Sequence, residues 1–394
     1  MIKMRNIVLI FWILWFIFPV AGLASDLEAD SLEKITENQL EVLDVREVEK
    51  LIGQIDREME QFIPELSLRE TIEKLKNGEI SFNPQAFLTG SLKFLLREVG
   101  ANLALMGKLV LLTVICAVLG NLQNAFEKGT IAKLAYAICF LVLISLVISS
   151  FQMSMAIGKE AIKKMVTFMQ ALMPVLLTLL AALGAFTTTA ILHPFILFTL
   201  GVLSTLFNVV IFPLIYLEAV LNIVNNISDR FKVSRLAGLF KEGTMFLLGL
   251  IFTIFIGALS LQGVGGAVAD GISLRTAKYL SDAFIPVVGG MFADVLDAVV
   301  GGSLLLKNAI GLVGLLAIGA IVLFPVLKIL AIILIYKVCA ALIQPIGESA
   351  IADTIQNMSN SLLLVFASVA TVAVMFFLAI IIIVATANIT VMLR

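Results

Sequence analysis

Charges are scarce in the apolar parts of this sequence, and the few found there are the first candidates for chemistry. An ionised side chain costs about 2.5 to 3.5 kcal/mol at the centre of a membrane helix and is retained where it faces an interior or a partner. Lys108, Glu218, Asp294, Asp297, Lys328 and Lys337 form this set. Asp294 and Asp297 are three residues apart, so on a helix they share a face. They are placed to line an aqueous path or to pair with a lysine of residues 310–336 such as Lys328, within the chain or across an oligomer. Lys328 and Lys337, nine residues apart, point about 180° apart on a helix and cannot share one narrow pore without a kink. Snorkelling to an interface accounts for Lys337 and Lys108 without any function. Glu218 lies near the end of its apolar run and reads as interfacial, and the sole histidine, His193, reads as an interfacial hydrogen-bonding residue rather than a proton relay.

Other chemistries are poorly supplied. Cys116, Cys139 and Cys339 lie in apolar runs and are odd in number, so no disulfide framework follows. One histidine and dispersed thiols do not make a zinc site. No nucleophile and base pair stands out, so the expectation is a protein without an enzymatic activity and without a cofactor.

The stretch 263–302 is unusual for its glycines: Gly263, Gly265, Gly266, Gly271, Gly289, Gly290, Gly301 and Gly302, punctuated by Asp270, Arg275, Lys278, Asp282 and Pro286. It fails the G-x-G-x-x-G pattern after Gly265, no strand precedes it, and no Walker motif occurs. Glycine at this density suggests broken or re-entrant helices whose backbone lines a cavity, with Gly263, Gly265, Gly266, Gly289, Gly290, Gly301 and Gly302 as hinges. A flexible loop between spans is the plainer alternative.

The elements that must position these residues follow from composition. Of 394 residues, 60% are apolar and 14% charged, with a mean hydropathy of +1.08, against roughly 45 to 50% and about 25% for an average soluble chain. A water-soluble globular fold is excluded. A formal net charge of −1 gives no electrostatic reason to expect nucleic acid. The charge is nonetheless divided: residues 25–100 carry 17 acidic and 9 basic side chains, whereas residues 101–394 carry 11 acidic and 16 basic.

Crossing the hydrocarbon takes roughly 20 apolar residues. Runs at 101–122, 131–151, 168–187, 190–212, 239–261, 310–336 and 362–387, with a weaker one at 284–303, predict seven or eight spans. Backbone amides cannot stay unpaired in lipid, so the fold class is all-α, a polytopic transmembrane helix bundle. Gly249, Thr253 and Gly257 recur every fourth residue, a pattern that lets helices approach closely. Pro174, Pro194, Pro213 and Pro325 are expected to kink or end helices.

At the amino end, Lys3 and Arg5, an apolar run over 7–18 and the small residues before Ser25 predict a signal peptide over 1–24, cleaved or retained as an anchor. Residues 25–100 then form an acidic, helical, extracytoplasmic segment. Val48, Leu51, Ile52, Ile55, Met59 and Phe62 mark one face of an amphipathic helix ended by Pro64. A capping box at Ser67 starts a short helix near 68–76, and another helix starts after Asn83 and Pro84. A segment this polar is expected to pack on the body, on a second copy or on a partner. The body divides into a first transmembrane part (101–262), the glycine-rich region (263–303) and C-terminal transmembrane helices (304–394). Its orientation carries a conflict. An outward signal leaves Lys159, Lys163, Lys164, Arg230, Lys232, Arg235 and Lys241 in outer loops, whereas positive-inside reasoning places them inside.

This order of parts, together with Leu274-Arg275-Thr276-Ala277-Lys278-Tyr279-Leu280 and Phe284-Ile285-Pro286-Val287-Val288-Gly289-Gly290, resembles the stage III sporulation protein AE family of endospore-forming bacteria. The resemblance covers nearly the whole chain. It implies a multi-pass protein of the mother-cell-derived membrane around the forespore, working with the other membrane proteins of its operon and a forespore membrane partner in a channel-like, secretion-like complex. A sister protein resembling secretion ATPases would supply energy. The family brings no catalytic residues to carry over. Membrane lipid is the other implied partner, nucleic acid is not one, and a homo-oligomer is compatible with the reading. The competing class is an autonomous secondary transporter of a small solute, which inverted repeats would favour; none is evident.

Overall fold

The computed structural model describes residues 45–59, 84–125, 130–227, 232–284, 289–346 and 349–393. The signal region, Phe62, Pro64 and the helix expected at 68–76 lie outside them. Among the described residues the chain is helical throughout, without strands. The helices are α1 (Arg46–Met59), α2 (Pro84–Ala101), α3 (Leu103–Ala125), α4 (Thr130–Ala182), α5 (Phe186–Leu206), α6 (Phe212–Ile227), α7 (Ser234–Phe284), α8 (Gly289–Ile343) and α9 (Ser349–Leu393). A single wide π-turn, Phe207–Ile211, joins α5 to α6 without a break.

That turn has a local cause. Pro213 has no amide hydrogen and its ring crowds the carbonyl four residues back, and the looser i→i+5 winding makes room for it. It also serves the packing. The inward stripe Leu192, Ile196, Leu200, Leu203, Phe207, Ile211, Ile215 and Ala219 is buried along its length. Its steps are mostly four residues, longer than the 3.6 of a straight helix, and the extra residue in the wide turn takes up part of the difference. Pro174, Pro194 and Pro325 end nothing: each sits inside a continuous helix.

The helices are longer than the sequence suggested. The run expected at 131–151 and most of the one expected at 168–187 belong to one 53-residue helix, α4. The charged stretch between them continues the helical pattern, with Ala161, Ile162, Met165 and Val166 buried while Lys159, Glu160, Lys163 and Lys164 face outward. Glycines 263, 265, 266 and 271 lie inside the uninterrupted α7, Gly289 and Gly290 open α8, and Gly301 and Gly302 lie within α8. Of the broken or re-entrant region expected over 263–303, residues 263–284 and 289–303 are therefore continuous helix, and 285–288 lie outside the described residues. Six helices are long and apolar enough to cross a membrane among the described residues: Leu103–Gly120, Leu134–Ala182, Phe186–Asn226, Ser234–Thr276, Val299–Ile346 and Ala350–Met392.

The core is built on α4, α8 and α9, which pack on one another along most of their lengths. Antiparallel pairing of α8 with α9 is fixed by Lys307 near Val384 at one end and Ser359 near Ile333 at the other. Side chains of Thr113, Ser368, Thr371 and Thr386 each donate to the carbonyl four residues earlier, so their hydroxyls are satisfied within their own helix. The two described helices of the acidic segment lie on this body. Val45, Val48 and Ile52 are buried beside α4 and α8, and Phe94 of α2 meets Phe324 edge-on at 4.6 Å between ring centroids. Outside, large apolar side chains are bare: Leu261 is 77% exposed, Phe198 71% and Phe246 67%. A bundle with its buried charged groups bonded inside and bulky hydrocarbon outside is suited to lipid.

Candidate functional site

Two carboxyl groups and one amine are buried among the described residues: Asp270, Glu218 and Lys307. Each joins two or three helices.

Asp270 sits at the junction of α4, α5 and α7. The turn from α4 to α5 passes through Gly184 at φ +83°, a left-handed conformation that glycine adopts without strain. A Cβ there would also approach Leu274 Cδ2 to 2.9 Å. The first turn of α5 has no cap of its own, since Ala185 offers no side-chain acceptor. Asp270 of α7 supplies it from outside: the amides of Thr187 and Thr188 donate to its two carboxylate oxygens at 2.7 and 2.8 Å. Two of the unpaired amides of a helix start are thereby satisfied, and a negative charge meets the positive end of the α5 dipole. Gly266 is the reason α7 comes near enough, because a Cβ there would lie 2.8 Å from Thr188 Cα. Gly263 permits a similar approach, with Thr386 Oγ1 2.8 Å from the position of a Cβ. These two glycines are contact points between helices, not hinges. Gly265, between them, has nothing within 4 Å.

Glu218 of α6 is buried within the bundle. One carboxyl oxygen accepts from Asn222 Nδ2 at 2.6 Å, and the other from the hydroxyl of Ser361 on α9. Lys241 of α7 acts on it through space without forming an ion pair. The polar character continues along the same helix. Asn225 Oδ1 accepts from the amides of Val233 and Ser234 at the start of α7, and Asn226 donates to Thr354 Oγ1.

Lys307 of α8 is fully buried and donates to Val384 O at 3.0 Å and to Asn388 Oδ1 at 2.6 Å, both on α9. Nearby close packing is again made by glycine, since a Cβ on Gly311 would stand 2.6 Å from Val384 Cγ2. Near the far end of α8, Tyr336 donates to Val147 O at 3.0 Å and also meets Ser150, tying α8 to α4.

The residues expected from sequence are not brought together. Asp294 and Asp297 lie on the first turns of α8, and their side chains are outside the description. Lys328 is exposed on the same helix, 31 residues beyond Asp297, which is about 46 Å along a continuous helix. Pairing of these aspartates with Lys328 within one chain is thus excluded by length alone. Lys108 and Lys337 are exposed, and His193 is exposed on α5. Gly249, Thr253 and Gly257 also face outward, and neither glycine has a neighbour within 4 Å, so they pack no helix of this chain. Lys307, with its partner Asn388, and Ser361, the partner of Glu218, escaped the sequence reading. A lone Lys or Ser in an apolar run carries no sign of what it faces; the only available signal was a lysine inside an otherwise apolar helix.

The comparisons agree with one another. The family model described as Stage III sporulation protein AE matches residues 66–387. Stage III sporulation protein AE of Bacillus subtilis (strain 168) is 39% identical over 380 residues, covering 96% of this chain and 95% of that protein. No solved structure matches the chain. A family match over most of the sequence, an end-to-end relative and an all-helical body with six membrane-length apolar helices place this chain in the stage III sporulation protein AE family.

Proposed function

We propose that this chain is a non-enzymatic, multi-pass component of a channel-like or secretion-like complex at the boundary between mother cell and forespore, with its helices forming part of the membrane pore or platform. It resides in the mother-cell-derived membrane around the forespore and works with the other membrane proteins of its operon and with a forespore membrane partner. The observation that carries this reading is the near full-length relation to a stage III sporulation protein. A second support is the character of the buried polar groups: Asp270 and Lys307 are each bonded to neighbouring helices, an arrangement that builds a bundle.

The test uses the intact protein. Affinity isolation from sporulating cells, in mild detergent, is expected to recover the operon's other membrane proteins with this chain. The purified chain alone in liposomes is expected to move no solute down an ion gradient. Solute uptake by the chain alone would replace this reading with the autonomous transporter.

A further inference from the structure

Two carboxylates are buried among the described residues, and only one of them is surrounded by groups that suit both of its protonation states. The geometry points to Glu218 and Ser361 as a proton-binding site linking α6 to α9, with a single proton as its ligand.

The hydroxyl of Ser361 has two acceptors within reach. One is a carboxyl oxygen of Glu218, and the other is the carbonyl of Asn357 at 3.1 Å on its own helix. When Glu218 is ionised, Ser361 donates to the carboxylate and Asn222 donates to the other oxygen at 2.6 Å. When Glu218 binds a proton, the new O–H bond points at Ser361 Oγ, and the hydroxyl hydrogen turns to the Asn357 carbonyl. Asn222 still donates to the remaining C=O. Two hydrogen bonds hold the ionised carboxylate and three the protonated acid, and no polar atom is stranded in either state, so a proton can come and go without disrupting the packing. The proton is exchanged with water. Asn222, Asn225 and Asn226, each partly exposed, lead from Glu218 to the end of α6.

The surroundings favour exchange over a permanent ion pair. Glu218 is 2% exposed, and its direct partners, Asn222 on α6 and Ser361 on α9, are neutral. From α7 the charged neighbour is Lys241, acting through space. On α4 the cation Lys159 stands over the ring of Phe212, 5.5 Å from its centroid; Phe212 lies six residues before Glu218. A buried carboxylate lacking a bonded cation is costly to keep ionised, and the local bonds already accommodate the alternative.

Infrared pH-difference spectra of the full chain in lipid bilayers test this directly. A protonated-carboxyl C=O band that titrates with a one-proton profile is expected, and Glu218→Gln, which keeps the side chain's volume, removes that band. Ser361→Ala deletes the charge-assisted bond to the ionised form, so the band is expected to persist to higher pH. A Glu218→Gln spectrum that still contains the titrating band would overturn the assignment, as would a Ser361→Ala profile identical to that of the parent. A band that responds to sodium at fixed pH, with no pH dependence, would also overturn it and make the ligand a metal ion.

Discussion

Asp270 and Glu218 are both buried carboxylates that join helices, yet their surroundings ask different things of them. Asp270 is held by two backbone amides, groups that can only donate, so its bonds match the carboxylate form alone. Glu218 is held by a side-chain amide and a hydroxyl that can either donate or accept. A carboxylate fixed by main chain serves as a structural cap, whereas one fixed by a rotatable hydroxyl keeps a choice of protonation state. Burial alone does not separate these two roles; the chemistry of the partners does.

Converting each acid to its amide gives the sharpest contrast. Asp270→Asn puts an NH2 against an amide N–H of α5, leaving a buried donor without an acceptor. A loss of about 2 to 4 kcal/mol is expected, because an unsatisfied buried donor costs about 1 to 3 kcal/mol and a donor–donor contact adds to it. The measure is the thermal midpoint in detergent. Asn388→Ala strips Lys307 of one of its two acceptors, and about 1 to 3 kcal/mol should be lost on the same scale. Lys307→Met in the same background should recover part of it, since a buried charge is removed with its need for a partner. Gly266→Ala forces α7 away from the Thr188 backbone and should cost about 1 to 3 kcal/mol, while the adjacent Gly265→Ala, facing open space, should be neutral or gain up to about 1 kcal/mol from helix propensity. The smallest effect belongs to Glu218→Gln, under about 1 kcal/mol, because the new NH2 can donate to Ser361 while the carbonyl still accepts from Asn222. A loss as large as that of Asp270→Asn would erase the distinction between the two sites.

The apolar runs disclosed the helices, the membrane class and the amphipathic face of α1, because these depend on local spacing. They did not disclose helix length. Lys159, Glu160, Lys163 and Lys164 resembled a loop by hydropathy, yet the buried residues between them keep helical spacing through the charged stretch. Glycine was the least readable residue. A hinge and a close helix contact both need the missing Cβ, and only the neighbours Thr188 and Thr386, distant in sequence, decide in favour of contact at Gly266 and Gly263. For the same reason the burial of Glu218 could not be read from its surroundings: it depends on α9, some 140 residues away, and nothing near position 218 records that helix.

The wide turn over Phe207–Ile211 bears on where Glu218 points. A π-turn takes about one residue more than an α-turn for nearly the same rotation, so the extra residue is absorbed within the turn and Glu218, two turns downstream, keeps the direction it would have in a straight helix one residue shorter. Deleting Val210 would therefore close the turn to ordinary α winding and leave Glu218 facing Ser361, whereas closing it with every residue kept would swing the acid by roughly a quarter turn while changing none of the residues that bind it.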